Sequence, residues 1–190
     1  GGSGGTAVVV FTKIRSITAA AMNDGECITA SGSAEEFRDM LSDSSIVKYG
    51  YDIKQQCNIL SYNGIELNGQ LRDIELMHYL INPEKSHKIE ILARTYLNIN
   101  LEDRVPAAEE TQPLSLFDEV PEESSENTDH LPEVAATLLI GERVHEEMES
   151  MNLCHLYETM EEPLLKVLSK MELEGVKIDL AQLRKYASEL

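Results

Sequence analysis

No apolar run in this chain approaches the ~18–20 residues needed to cross a bilayer, and no signal peptide is visible. The expectation is a cytoplasmic protein without a membrane role. The three cysteines, Cys27, Cys57 and Cys154, form no CxxC pair. An odd, scattered set fits reduced thiols and carries no zinc signature. Neither a GxGxxG nor a GxxxxGK loop is present, which leaves nucleotide cradling without support. His78, His87, His130, His145 and His155 show no HxxxH or HExxH spacing, so they read as packing or surface residues rather than metal ligands. Positive charge is scarce as well: 16 Lys and Arg face 34 Asp and Glu, for a net charge of −18. The deficit is uneven. Residues 1–100 hold nine basic and twelve acidic groups, whereas residues 101–190 hold seven and twenty-two. Such a surface repels phosphate and disfavours tight nucleic-acid binding by this fragment alone.

What remains is patterned like an α/β domain. Gly1 to Gly5 look like an expression linker and stand outside the fold. Val8 to Phe11 and Ser16 to Met22 read as strands, Asn23-Asp24-Gly25 as a hairpin turn, and Glu26 to Ala30 as the returning strand. Ser33 and Glu36 form a capping box before a helix through Phe37, Met40 and Leu41. Ile46 to Tyr49 predicts a fourth strand. Asp52 to Tyr62 predicts a helix with Ile53, Cys57 and Leu60 inward, and Ile65 to Leu67 an extended piece. Asp73 opens a helix that Asn82-Pro83 stops, and Ser86 begins another through Ile89, Leu92, Ala93 and Tyr96. Residues 101–129 carry ten acidic groups against one basic, with Pro106, Pro113 and Pro121 among Ser, Thr and Asn. That composition predicts a solvated insert. Helices follow over 131–153 and about 157–174, then Gly175 as a C-terminal cap and a last helix after Asp179.

Two stretches go further than pattern. Lys48 to Pro83, KYGYDIKQQCNILSYNGIELNGQLRDIELMHYLINP, resembles the second exonuclease motif region of family A DNA polymerases. Tyr157 to Leu183, with its E-x-PL-x-x-VL-x-x-ME-x-x-GV-x-ID spacing, is similar to the segment joining that exonuclease domain to the polymerase thumb. The resemblance covers most of the chain outside the insert. It implies an RNase H-like (DnaQ-like) 3′–5′ exonuclease fold: a mixed sheet whose first three strands are antiparallel, with flanking helices. It also implies a division into an exonuclease-like domain over 6–156, with its insert at 101–129, and a connecting helix plus the start of the thumb over 157–190. The parent would be a bacterial DNA polymerase I, a DNA-directed polymerase of replication and repair, for which Mg²⁺ is expected.

In active members, carboxylates from three motifs hold two divalent metals, because hard cations demand oxygen ligands. The first motif, D-x-E on the first strand, falls on Phe11, Thr12 and Lys13. An aromatic and an ammonium cannot replace two ligands. The third, Y-x-x-x-D, falls on Val134 and Leu138, and no such spacing occurs between Leu101 and Glu158. The resemblance leaves the second motif's acid at Asp73, which also reads as a helix N-cap. The implied domain is thus catalytically inactive, with no cofactor in this fragment. The alternatives are an active proofreading exonuclease using Asp24 and Glu26, and a non-enzymatic interaction domain. Within the insert, Gln112, Leu114, Leu116 and Phe117 resemble the peptide by which bacterial polymerases bind the sliding clamp. There Pro113 would stiffen an extended segment and present its apolar side chains to a groove.

Overall fold

A computed structural model describes residues 7–12, 16–23, 26–101, 131–177 and 179–189. The β-branched and alanine-rich opening forms three strands, β1 (Ala7–Thr12), β2 (Ser16–Asn23) and β3 (Glu26–Ser33), paired antiparallel in succession. β4 (Val47–Gly50) joins the other side of β1 in parallel, and β5 (Leu71–Asp73) lies parallel to β4. The sheet is therefore mixed, in the order β3-β2-β1-β4-β5.

Eight helical elements accompany it among the described residues: α1 (Arg38–Ser42), α2 (Ile53–Tyr62), α3 (Ile74–Ile81), α4 (Ile89–Leu92), α5 (Leu131–Ser150), α6 (Cys154–Leu156), α7 (Glu162–Glu174) and α8 (Leu180–Glu189). π-helical turns over Ala93–Leu97 and Tyr157–Glu161 extend α4 and lead into α7. Pro163 stands in the first turn of α7 and lacks the N–H that would bond the Thr159 carbonyl, and the helix widens to a π turn just before it while staying helical from Cys154 to Glu174.

Each sheet face buries its own core. Ala20 of β2 and Tyr49 of β4 pack with Ile74, Met77 and Ile81 of α3, Leu92 of α4, and Leu138, Ile140 and Val144 of α5. On the opposite face Ile17 and Ala19 of β2 meet Leu41, Ile53, Leu60, Ile65, Leu67, Leu71 and Leu165 of α7. α5 approaches closely because Gly141 rests on the Tyr49 ring, where an added Cβ would lie 2.5 Å from Cδ1. Lys48, 1% exposed, points its ammonium into backbone carbonyls, donating to Asn68 O at 2.6 Å and to Asp43 O. Those bonds tie the loops on either side of β4 together.

The capping box closes differently from its sequence prototype. Glu36 Oε2 accepts the Ser33 N–H at 2.6 Å and the Ser33 hydroxyl at 3.0 Å, and helix α1 starts only at Arg38. Ile65 and Leu67 are buried but form no strand; the strand is Leu71–Asp73, six residues later. Their apolar side chains fill the core from a loop, so burial there needs no pairing.

Candidate active-site region

Asp73 ends β5 and caps α3, and both its carboxylate oxygens accept backbone N–H groups. Oδ1 accepts the Glu75 and Leu76 N–H groups at 3.0 and 3.2 Å. Oδ2 accepts the Ile53 N–H at 2.7 Å, so the same side chain serves the start of α2. Only 3% of the residue is exposed. Burial pushes its carboxyl up to about 6, against the pull of the Ile53 and Leu76 hydrogen bonds. Its own N–H donates to the Tyr157 hydroxyl at 2.7 Å, and that hydroxyl donates to Leu71 O at 2.9 Å.

Among the described residues, the other sequence-derived positions do not converge on this carboxylate. Phe11 lies on β1 opposite Thr18, and Lys13 falls outside the described residues. β4 lies between β1 and β5, which separates those strands by roughly 10 Å at ordinary spacing. Val134 and Leu138 sit one turn apart on the inward face of α5, 1% and 0% exposed among aliphatic neighbours. Asp24 is outside the described residues, and Glu26 begins β3 on the surface, paired with Asn23 across the hairpin. Gln112, Leu114, Leu116 and Phe117 also lie outside the described residues.

One residue that sequence reasoning passed over is Gln56. The buried face of α2 is Ile53, Gln56 and Leu60, with Cys57 only half-buried. Gln56 is the polar member of that face. It donates from Nε2 to Tyr51 O at 2.8 Å and lies beside Gly50, the end of β4, next to β1. Its neutral amide brings no anionic oxygen to that place.

A pair of divalent ions needs several anionic oxygens aimed into one space. The aromatic Phe11, the amide of Gln56, the aliphatic Val134 and Leu138 and the backbone-capped Asp73 do not fit that group. Among the described residues no three His, Cys, Asp or Glu side chains are placed to share a metal.

A cleft of about 310 Å³ opens between the first turns of α2 and α3 and the flank of α7. Asp52, Lys54, Glu75 and Glu161 rim it, leucines 76, 164, 165 and 168 line it, and Asp73 lies in its wall. His78, 3% exposed, lies beneath the loop after α3, its Nδ1 2.7 Å from Nδ1 of His87. Burial and that neighbour hold the His78 imidazole below its ordinary range. Burial pushes all three cysteine thiols up, Cys57 to about 11, which leaves none of them an activated nucleophile.

The mixed five-stranded sheet with helices on both faces is a ribonuclease H-like exonuclease fold. It superposes on Brucella melitensis NrnC with bound Mg²⁺ at a TM-score of 0.58, with 15% identity, over 93% of this chain and 90% of that one. It also superposes on the POL domain of Pol1 from M. smegmatis in complex with DNA primer-template and dNTP, at a TM-score of 0.70, with 20% identity, over 98% of this chain and 31% of that one. Residues 19–105 match the family described as DNA polymerase I, ribonuclease H-like domain. DNA polymerase I of Bacillus subtilis (strain 168) is 30% identical over 160 residues, covering 83% of this chain and 18% of the relative. DNA polymerase I of Geobacillus stearothermophilus is 26% identical over 156 residues, covering 82% and 17%. The chain belongs to the 3′–5′ exonuclease domain family of bacterial DNA polymerase I. It spans less than a fifth of the length of these curated relatives.

Proposed function

We propose that this domain is a non-catalytic structural module of a DNA polymerase I, supporting DNA synthesis in replication and repair without proofreading. The observation that carries this reading is the Asp73 carboxylate: three backbone N–H groups bond it and it is 3% exposed, so its oxygens are committed to backbone donors rather than to an ion. Phe11, Gln56, Val134 and Leu138 support the same conclusion by supplying no anionic oxygen. Mg²⁺ and DNA belong on this reading to the parent's polymerase portion. The parts fall as an exonuclease-like body up to residue 156 and a connecting helix into the thumb over 157–190.

The test is degradation of a 5′-labelled single-stranded oligonucleotide with Mg²⁺ or Mn²⁺. The expected result is no shortening beyond a protein-free control. Robust cleavage abolished by chelation would overturn the reading, and its loss in Glu26→Gln would locate the site in the hairpin.

The proposal includes a clamp-binding peptide at Gln112, Leu114, Leu116 and Phe117, supported by the spacing of apolar residues within an otherwise acidic segment. Titrating a bacterial sliding clamp with the chain and with a Gln112→Ala/Phe117→Ala variant decides it. Equal binding by both, or none by either, removes the peptide from the proposal.

A further inference from the structure

The loop between α3 and α4 is held down by two imidazoles. His78 stands buried in the last turn of α3, and His87 closes the loop just before α4. Their Nδ1 atoms lie 2.7 Å apart and their rings meet edge to face, with centroids 4.9 Å apart. A second edge-on ring, Tyr96, covers His78 from the turn after α4, and its hydroxyl donates to Glu147 Oε2 of α5 at 2.6 Å. Tyr79 packs edge-on against His87. Among the described residues, no other hydrogen bond joins residues 83–87 to the body of the domain: the Lys85 N–H goes no further than Asn82 O, at 3.1 Å. α4 and the turn after it are anchored independently, through Leu92 and Ala93 in the core. The loop's hold on α3 therefore rests on these rings.

A bond between two Nδ1 atoms needs one hydrogen shared by two lone-pair positions. A neutral pair has it. A pair carrying one added proton keeps it, since an imidazolium still donates to a neutral ring. With two added protons both Nδ1 atoms carry hydrogen, no acceptor is left, and two cations face each other at contact. We propose that the two rings form a proton-operated latch, which holds residues 83–87 against α3 until both are charged and then lets them go. The surroundings resist the second charge. Burial weighs most against a proton on His78, followed by the His87 neighbour, with Lys85 of the loop acting the same way and Glu147 pulling against them. The His78 imidazole is accordingly held below its ordinary 6.5. Below about pH 6.5 the closed loop thus binds up to one proton fewer than the open one, and acid favours opening. At one proton per opening, the open fraction rises by up to about ten-fold for each pH unit. Asp73 runs in the opposite direction, losing its contribution as pH rises, and does not mimic the effect.

Glu84, exposed in the loop, is the reporter, because a glutamate-specific protease active in both mild acid and neutral solution cuts after it. The rate of cutting there in the whole chain, read by mass spectrometry and divided by the rate in a free peptide of residues 80–90, measures the open fraction. From about pH 7.5 to about pH 5.5 this ratio is expected to rise at least about five-fold, with far-ultraviolet circular dichroism unchanged. The amide of His87→Gln donates to His78 but takes no proton. Whatever its level in that variant, the ratio is expected to stay within about two-fold over the same range. A flat ratio in the wild-type chain overturns the proposal. So does a rise that His87→Gln reproduces, or one that comes with loss of circular dichroism. None of these readouts depends on nuclease activity, so the proposal stands or falls separately from the non-catalytic structural role.

Discussion

Asp73 sets two opposing forces against each other, and their balance can be measured. Burial disfavours its charged form, whereas three N–H donors favour it. Burial dominates, raising the carboxyl from 3.8 to about 6. At 1.36 kcal/mol per pH unit, a displacement of that size corresponds to about 3 kcal/mol between the two protonation states. Because the folded value lies above the unfolded one, the group contributes its full stability below about pH 4. That contribution is lost as pH rises through about 6. Asp73→Asn does not titrate and supplies the reference.

Urea unfolding followed by circular dichroism at pH 4, 5, 6 and 7 gives the wild-type minus Asp73→Asn difference. This difference is expected to fall by up to about 3 kcal/mol from pH 4 to pH 7, the other carboxylates cancelling between the two proteins. A flat curve, or one that rises with pH, refutes the reasoning, because it would mean the helix N–H groups outweigh burial. Such a result would also return Asp73 to the company of ordinary ionised carboxylates.

Tyr157→Phe removes the hydroxyl shared by Leu71 O and Asp73 N–H in a buried site, and is expected to cost about 1–3 kcal/mol in a urea titration. Leu138→Ala opens a cavity in the core beneath α5 and is expected to cost about 2–5 kcal/mol by the same measurement. Gly141→Val forces α5 off the Tyr49 ring and is expected to destabilise by at least about 1–3 kcal/mol, read as a lowered melting temperature. Glu172→Gln weakens an exposed pair with Lys54 and is expected to leave the urea midpoint within the scatter of repeat titrations, which marks the noise level for the other three.

Much of the fold was legible because its local chemistry agrees with its tertiary role. β-branched residues at Val8 to Val10, the apolar stretch from Ser16 to Met22 and the Asn23-Asp24-Gly25 turn made the antiparallel start readable, and β4 announced itself as a strand at Val47. β5 did not. Leu71-Arg72-Asp73 offers one apolar residue, and what makes it a strand is β4 on one side and Tyr157 with Glu162 on the other. No local signal encodes those neighbours.

The inward face of α2 was read as Ile53, Cys57 and Leu60, whereas the structure buries Gln56 and leaves Cys57 half-covered. A helical stripe read from hydrophobicity skips a buried amide whose partner is a backbone carbonyl. Asp73 was legible as a cap for α3 from its position. Its reach to Ile53, twenty residues back, was not, because that contact exists only once β4 and β5 lie side by side.

The hydrogen bonds from Tyr157 and Glu162 to β5 have a mechanical consequence. A segment that merely trailed the domain could swivel on it. This one is bolted to the sheet at Leu71 and Asp73, to the loop at Gly69 through Lys166, and to α2 through Ser169 and Glu172. Residues 157–174 therefore form a strut rather than a joint. A load applied beyond Glu174 is passed straight to the sheet. Any bending is deferred to Gly175, where φ is +71° and no atom stands within 4 Å of an added Cβ.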